Sequence, residues 1–153
     1  MTKIILQLEP AAAKFFKYHH DEAYNRPSLL RGHFKRLILM NAEPHPTGVF
    51  ARSESLVAVE TTVASEIKSY KFDARTKAIY IPDAKMKMLN DAFIALLEDE
   101  INTTVELFES IGRQHKHAFE YIISKYDLDS SDYSFDRMKK MNYRHRMRVI
   151  STK

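Results

Sequence analysis

The sequence predicts a helix-dominated α+β fold: a single domain with a small β-sheet and a basic C-terminal helix. Three observations point there. The run Lys3 to Leu8 alternates with the two-residue period of a strand, and strand-like runs follow near 56–63, 67–72 and 79–81. From residue 84 onward, apolar residues recur at the three- and four-residue spacing of amphipathic helices. Charge is gathered at one end: the chain carries +4 in all, and residues 131–153 alone carry +5.

In residues 3–8, Ile4, Leu6 and Leu8 point one way and Lys3, Ile5 and Gln7 the other. Pro10 suits a first helical turn, where its missing N–H is not needed. Residues 11–23 then form a helix with Ala12, Phe15, Phe16, His19 and Ala23 on its apolar side. Asn25 to Ser28 is a break, since Pro27 keeps Arg26 out of helical geometry and Ser28 can cap the next helix. That second helix, over 29–40, presents Leu30, Phe34, Leu37, Ile38 and Met40, and Glu43 to Gly48 ends it in a loop with two prolines.

Leu56 to Val63 is rich in β-branched residues and reads as a strand. Ile67 to Phe72 reads as another, although a short helix fits 63–72 nearly as well. After the turn-like Asp73 to Thr76, Ile79 to Ile81 completes a small sheet, with residues 3–8 alongside. Pro82-Asp83 opens the longest helix, about 84–111, whose helical period is held by Leu89, Phe93, Leu96, Leu97, Ile101, Val105, Phe108 and Ile111. Its polar positions are acidic, among them Glu98, Asp99, Glu100, Glu106 and Glu109. Gly112 suits the position just past its end. A helix over about 114–126 comes next, then the polar stretch Asp127 to Asp132. Ser134 caps a last helix over about 135–148, with Asp136 near its positive N-terminal end. The expected organisation is a core domain over 1–130 with a basic helix, 131–153, packed on it or extending from it.

Composition narrows the function. A chain of 153 residues with 44% hydrophobic residues can build a core without staples. The lack of cysteine removes disulfides, thiolate metal sites and a cysteine nucleophile together. Three isolated glycines cannot make a dinucleotide or phosphate loop. No apolar run is long enough for a signal peptide core or a bilayer span, so a cytoplasmic protein without membrane contact is expected. No catalytic motif is present and no cofactor is implied.

The basic helix is the strongest functional signal. Arg137, Lys140, Arg144 and Arg148 fall within about 80° of one another at 100° per residue. Lys139 and Arg146 add charge, and Tyr143 and His145 interleave with it. Phe135, Met138 and Met141 lie to one side and can dock on the domain. A helix with one docked face and one cationic stripe can follow a phosphate backbone, with Tyr143, His145 and Asn142 near enough to read base edges. The expectation is a non-catalytic nucleic-acid-binding protein, with duplex DNA as target. The alternative is an assembly module in which this helix pairs with the acidic long helix of a partner or second copy. A stripe left exposed and unpaired favours nucleic acid, and one sealed against carboxylates favours assembly.

Two resemblances accompany these readings. The strand, helix, Pro/Ser break and second amphipathic helix of residues 2–41 resemble the ribbon-helix-helix family. That resemblance implies an intertwined dimer whose paired strands enter the major groove, with Lys3, Ile5 and Gln7 facing the bases. This chain departs from the family in having Ile5 at the centre of that face and no glycine between the helices. An ordinary β-α-α segment, with its strand joined to the chain's own sheet, explains the same residues. Tyr121 to Arg148, two helices around a polar break, resemble a helix-turn-helix with a lengthened turn. In size and ending the chain is similar to small DNA-binding proteins of bacterial phages and mobile elements.

The remaining polar clusters have plainer readings. His19-His20, His33, His115 and His117 lack metal-ligand spacing, and His19 falls on an apolar helix side. Glu98-Asp99-Glu100 splays around a helix and cannot converge as a catalytic pair. Tyr70, Phe72 and Tyr80 could stack bases, but their spacing equally suits a core-facing sheet.

Overall fold

The computed structural model describes residues 3–20, 30–45, 56–62 and 78–152. Within them the chain is a helix-dominated α+β protein. In order it forms β1 (Lys3–Leu8), α1 (Pro10–His20), α2 (Leu30–Asn41), β2 (Glu43–His45), β3 (Val57–Thr62), β4 (Ala78–Tyr80), α3 (Asp83–Ser110), α4 (His115–Tyr126) and α5 (Phe135–Ser151). The strand expected over 67–72, with Tyr70 and Phe72, and the break at Asn25 to Ser28 lie outside the described residues. The chain separates into two compact units, residues 1–92 and 93–153, and the division falls inside α3. Here α5 shares a unit with α4 and the second part of α3.

In the first unit β1 pairs antiparallel with β3, Lys3 opposite Thr62 and Leu8 opposite Val57. The alternation of β1 is obeyed: Ile4, Leu6 and Leu8 are fully buried, and Ile5 and Gln7 are half-buried. This ladder lies within one chain. Phe15 and Phe16 of α1 both meet the Phe34 ring of α2 edge-on, at centroid distances of 5.7 and 5.4 Å. Edge-to-face contact is a preferred geometry for aromatic quadrupoles. His19 sets its ring against Phe15 in the same way, at 4.9 Å.

The strands form two ladders rather than one sheet. β2 pairs antiparallel with β4, Glu43 opposite Tyr80 and His45 opposite Ala78. The sequence predicts a loop at β2 because of Pro44 and Pro46. In a two-stranded ladder, however, each strand has an edge whose amides need no partner, so a proline there is tolerated. Lys85 of α3 ties to this ladder through an ion pair with Glu43 at 2.6 Å. Asn90, nearly buried, accepts a hydrogen bond from the Glu9 N–H at 3.0 Å.

The second unit is built on helices. Phe93, Leu97, Ile101 and Val105 of α3 are buried, as are Ala118, Phe119, Ile122 and Tyr126 of α4 and Met138 of α5. The order of the contacts fixes the helix directions. Glu100 meets Lys125 and Tyr126, while Phe108 lies beside Tyr121 with ring centroids 5.8 Å apart, so α4 runs against α3. Asn102 meets Asn142 and Glu106 meets His145, so α5 runs with α3. The result is an up-down-up helical unit.

Both connections close in the same way. Gly112 has φ 77°, and the N–H groups of Gly112 and Arg113 donate back to Glu109 and Phe108 at 3.0 and 2.9 Å. Asp127 repeats the turn with φ 51°, and Asp127 and Leu128 donate to Ser124 and Ile123. These are Schellman turns, which satisfy the last carbonyls of a helix. The first of them places Ile111 beyond the end of α3, where it is 62% exposed instead of continuing the apolar seam.

Candidate nucleic-acid interface

The loop 127–134 sets where α5 begins. Asp129 Oδ1 accepts from the backbone N–H groups of Ser131 and Asp132 at 2.9 and 3.0 Å, a local turn held by a short acidic side chain. Ser134 Oγ then accepts from the Arg137 N–H at 3.1 Å, which caps α5 as the sequence predicts. Tyr133 is buried between them, and its hydroxyl donates to Glu98 of α3 at 3.1 Å. Burial, and then the negative charge of Glu98, push the Tyr133 phenol far above its ordinary pKa of 10.0; Arg137 pulls the other way.

The inner face of α5 carries Met138 and Asn142, both buried, flanked by half-buried Met141 and His145. The outer face carries Arg137, Lys140, Arg144 and Arg148, all exposed. Among the described residues none of these four forms an ion pair with a carboxylate. The Arg137 guanidinium lies over the Tyr133 ring at 4.2 Å, which holds the first member of the stripe in place.

The other expected contact residues divide. Tyr143 is 56% exposed and Lys139 is exposed. His145 instead turns toward α3, its Nε2 3.6 Å from Glu106 Oε1. Arg146 is half-buried, and its Nε is buried with no hydrogen-bond partner. Asn142 is a correction. It is 1% exposed, and its Nδ2 donates to Asn102 Oδ1 at 3.0 Å. Four residues after Met138, it falls on the docked face, where its polarity is met by another asparagine. A buried position on α5 thus had a polar match on α3, which only the spacing of the two helices could have revealed.

The acidic positions of the second unit are used differently. Glu98 accepts from Tyr133, and Glu100 accepts from both Lys125 and Tyr126. Glu106 faces His145, and Glu109 faces His115 at 3.7 Å. Residues 93–153 hold ten acidic and ten basic side chains, with the acidic excess before residue 131 and the basic excess after it.

Between α4 and α5 lies a groove of about 480 Å³. Phe119, Phe135 and Tyr143 give it an aromatic lining, and Phe119 and Phe135 meet edge-on at 5.4 Å. Its cations are Lys116, Lys139, Lys140 and Arg146, and no carboxylate lines it. Sequence reasoning missed this groove because its walls come from two separate helices. Among the described residues no three His, Asp or Glu side chains converge as metal ligands, and no helix is long and apolar enough to cross a membrane. No family model, curated protein or solved structure matches the chain.

Proposed function

We propose that the protein binds nucleic acid without acting on it chemically, with duplex DNA as its main target and α5 as the contact. One observation carries this reading: Arg137, Lys140, Arg144 and Arg148 share an exposed face and have no ion-pair partner among the described residues. A guanidinium or ammonium group without a carboxylate partner in its own fold can displace counterions from a polyanion. Tyr143 and the stacked Arg137 add groups that can approach a sugar-phosphate edge. Lys139, Arg146 and His145 lie nearer the packed side and contribute mainly field. Such a role suits a cytoplasmic protein of the phage and mobile-element kind.

The assembly reading has its own support in the segregation of charge within residues 93–153. It is weakened because Glu98, Glu100 and Glu106 already meet donors of their own unit. The two readings separate in one experiment. Wild-type protein and an Arg137/Lys140/Arg144/Arg148→Ala variant are titrated against a labelled duplex at low salt, with circular dichroism confirming the fold of both. The proposal expects binding by the wild type and its loss in the variant. Absent binding, or binding that survives the four changes, would move the function to assembly, with sedimentation as the readout.

A further inference from the structure

The groove between α4 and α5 has chemistry that the outer stripe does not use. Its volume of about 480 Å³ is of the size that holds small organic ligands, roughly 300–1,000 Å³. It combines aromatic side chains with positive charge and lacks any acidic side chain. At the same place Asn142, 99% buried, spends its Nδ2 on Asn102 and leaves its Oδ1 without a partner. Arg146 also lines the groove with an unpartnered, buried Nε. Buried polar groups without partners are uncommon and destabilise a fold unless a ligand or water completes them.

We infer that this groove holds one unstacked nucleotide of a single-stranded segment adjoining the duplex. The inference rests on the nucleic-acid reading and extends it to a second kind of contact. The base lies against Tyr143, Phe135 and Phe119, since every base offers a π-face to an aromatic ring. An exocyclic amino group of the base, as in adenine, supplies the donor that Asn142 Oδ1 lacks. The phosphates on either side meet Lys139, Lys140 and Lys116, and the Arg146 guanidinium closes the site with the N–H donors that a phosphate accepts. Lys140 lies in both the stripe and the groove lining, so the two contacts are continuous along α5. A groove selective for an acidic peptide would have the cations without needing the aromatic walls.

The test compares a blunt duplex with the same duplex bearing a short deoxyadenosine overhang that contains one 2-aminopurine. The wild type should bind the overhang form about tenfold more tightly, within the about 5- to 150-fold span of one stacked base. Its 2-aminopurine emission should change on binding. Tyr143→Ala, at an exposed position where the fold is safe, should abolish that preference, weakening the overhang form more than the blunt duplex. Tyr143→Phe should keep the preference, because the ring and not the hydroxyl stacks. Equal affinity for both forms with unchanged emission would overturn the groove site and leave the duplex reading standing. A preference that survives Tyr143→Ala would overturn it as well. Binding of the overhang but not of the blunt duplex would uphold the groove and defeat the duplex stripe. No binding to either would defeat both.

Discussion

The second part of α3 and the whole of α5 are strongly charged and share one unit, yet several of their charges have different fates. Three carboxylates of α3 meet donors, Glu98 to Tyr133, Glu100 to Lys125 and Tyr126, and Glu106 to His145, while Asp91 and Asp99 are exposed and form no ion pair among the described residues. The outer cations of α5 form no ion pair among the described residues, although Arg137 lies over the Tyr133 ring. Charges that order a fold are paired within it, because a desolvated charge without a partner is destabilising. Charges left on an exposed face add little stability and repel one another, and the proposed nucleic-acid partner would relieve that repulsion. The contrast makes α3 a structural helix and α5 a divided one, structural on its Met138 side and open on its Arg144 side.

The largest expected effect lies on the structural side. Phe93 is fully buried. Phe93→Ala should lower stability by about 3–5 kcal/mol, read as an earlier urea midpoint. An unchanged midpoint would remove α3 from the core.

Tyr133→Phe removes the hydroxyl that meets Glu98 and should cost about 1–3 kcal/mol near neutral pH. The same residue gives a pH test. Its folded pKa is raised, so its contribution is fully present below the ordinary tyrosine value of 10.0 and declines as pH rises beyond it. Stability followed by denaturant melts from pH 9 to 11 should therefore fall more steeply in the wild type than in Tyr133→Phe. Parallel curves would show that the phenol is not held by burial and Glu98.

Ser134→Ala should cost about 1 kcal/mol through loss of the cap on Arg137 N–H. A neutral result would mean that α5 starts elsewhere, and with it the phase of the stripe. The smallest effect belongs to the open side. Arg144→Ala should change stability by no more than about 0.5 kcal/mol, as at an exposed site without partners. A larger loss would show that Arg144 serves the fold and would erase the contrast with α3.

Much of this organisation was legible in the chain. The alternation of Ile4, Leu6 and Leu8, the seam from Leu89 to Val105, Gly112 past α3 and the Ser134 cap all follow from local rules. What escaped has non-local causes. Pro44 reads as a breaker, yet sits in a short ladder with β4, more than thirty residues away in the chain. Asn142 looks like a surface residue until Asn102 is placed beside it. The aromatic groove needs α4 and α5 together, and neither helix alone predicts it. The cationic stripe was visible from spacing, because one helix supplies all of it; that its cations form no ion pair among the described residues was not, because pairing depends on the neighbours.

The central claim is that the four outer cations of α5 are available to phosphates, and the salt dependence of duplex DNA binding tests it most directly. With all four engaged, log K should fall against log salt with a slope of about −3.6, from about −0.9 per neutralised phosphate. Arg144→Ala should flatten that slope by about one while weakening all duplex sequences alike. A slope near zero, or one that Arg144→Ala leaves unchanged, would contradict the account.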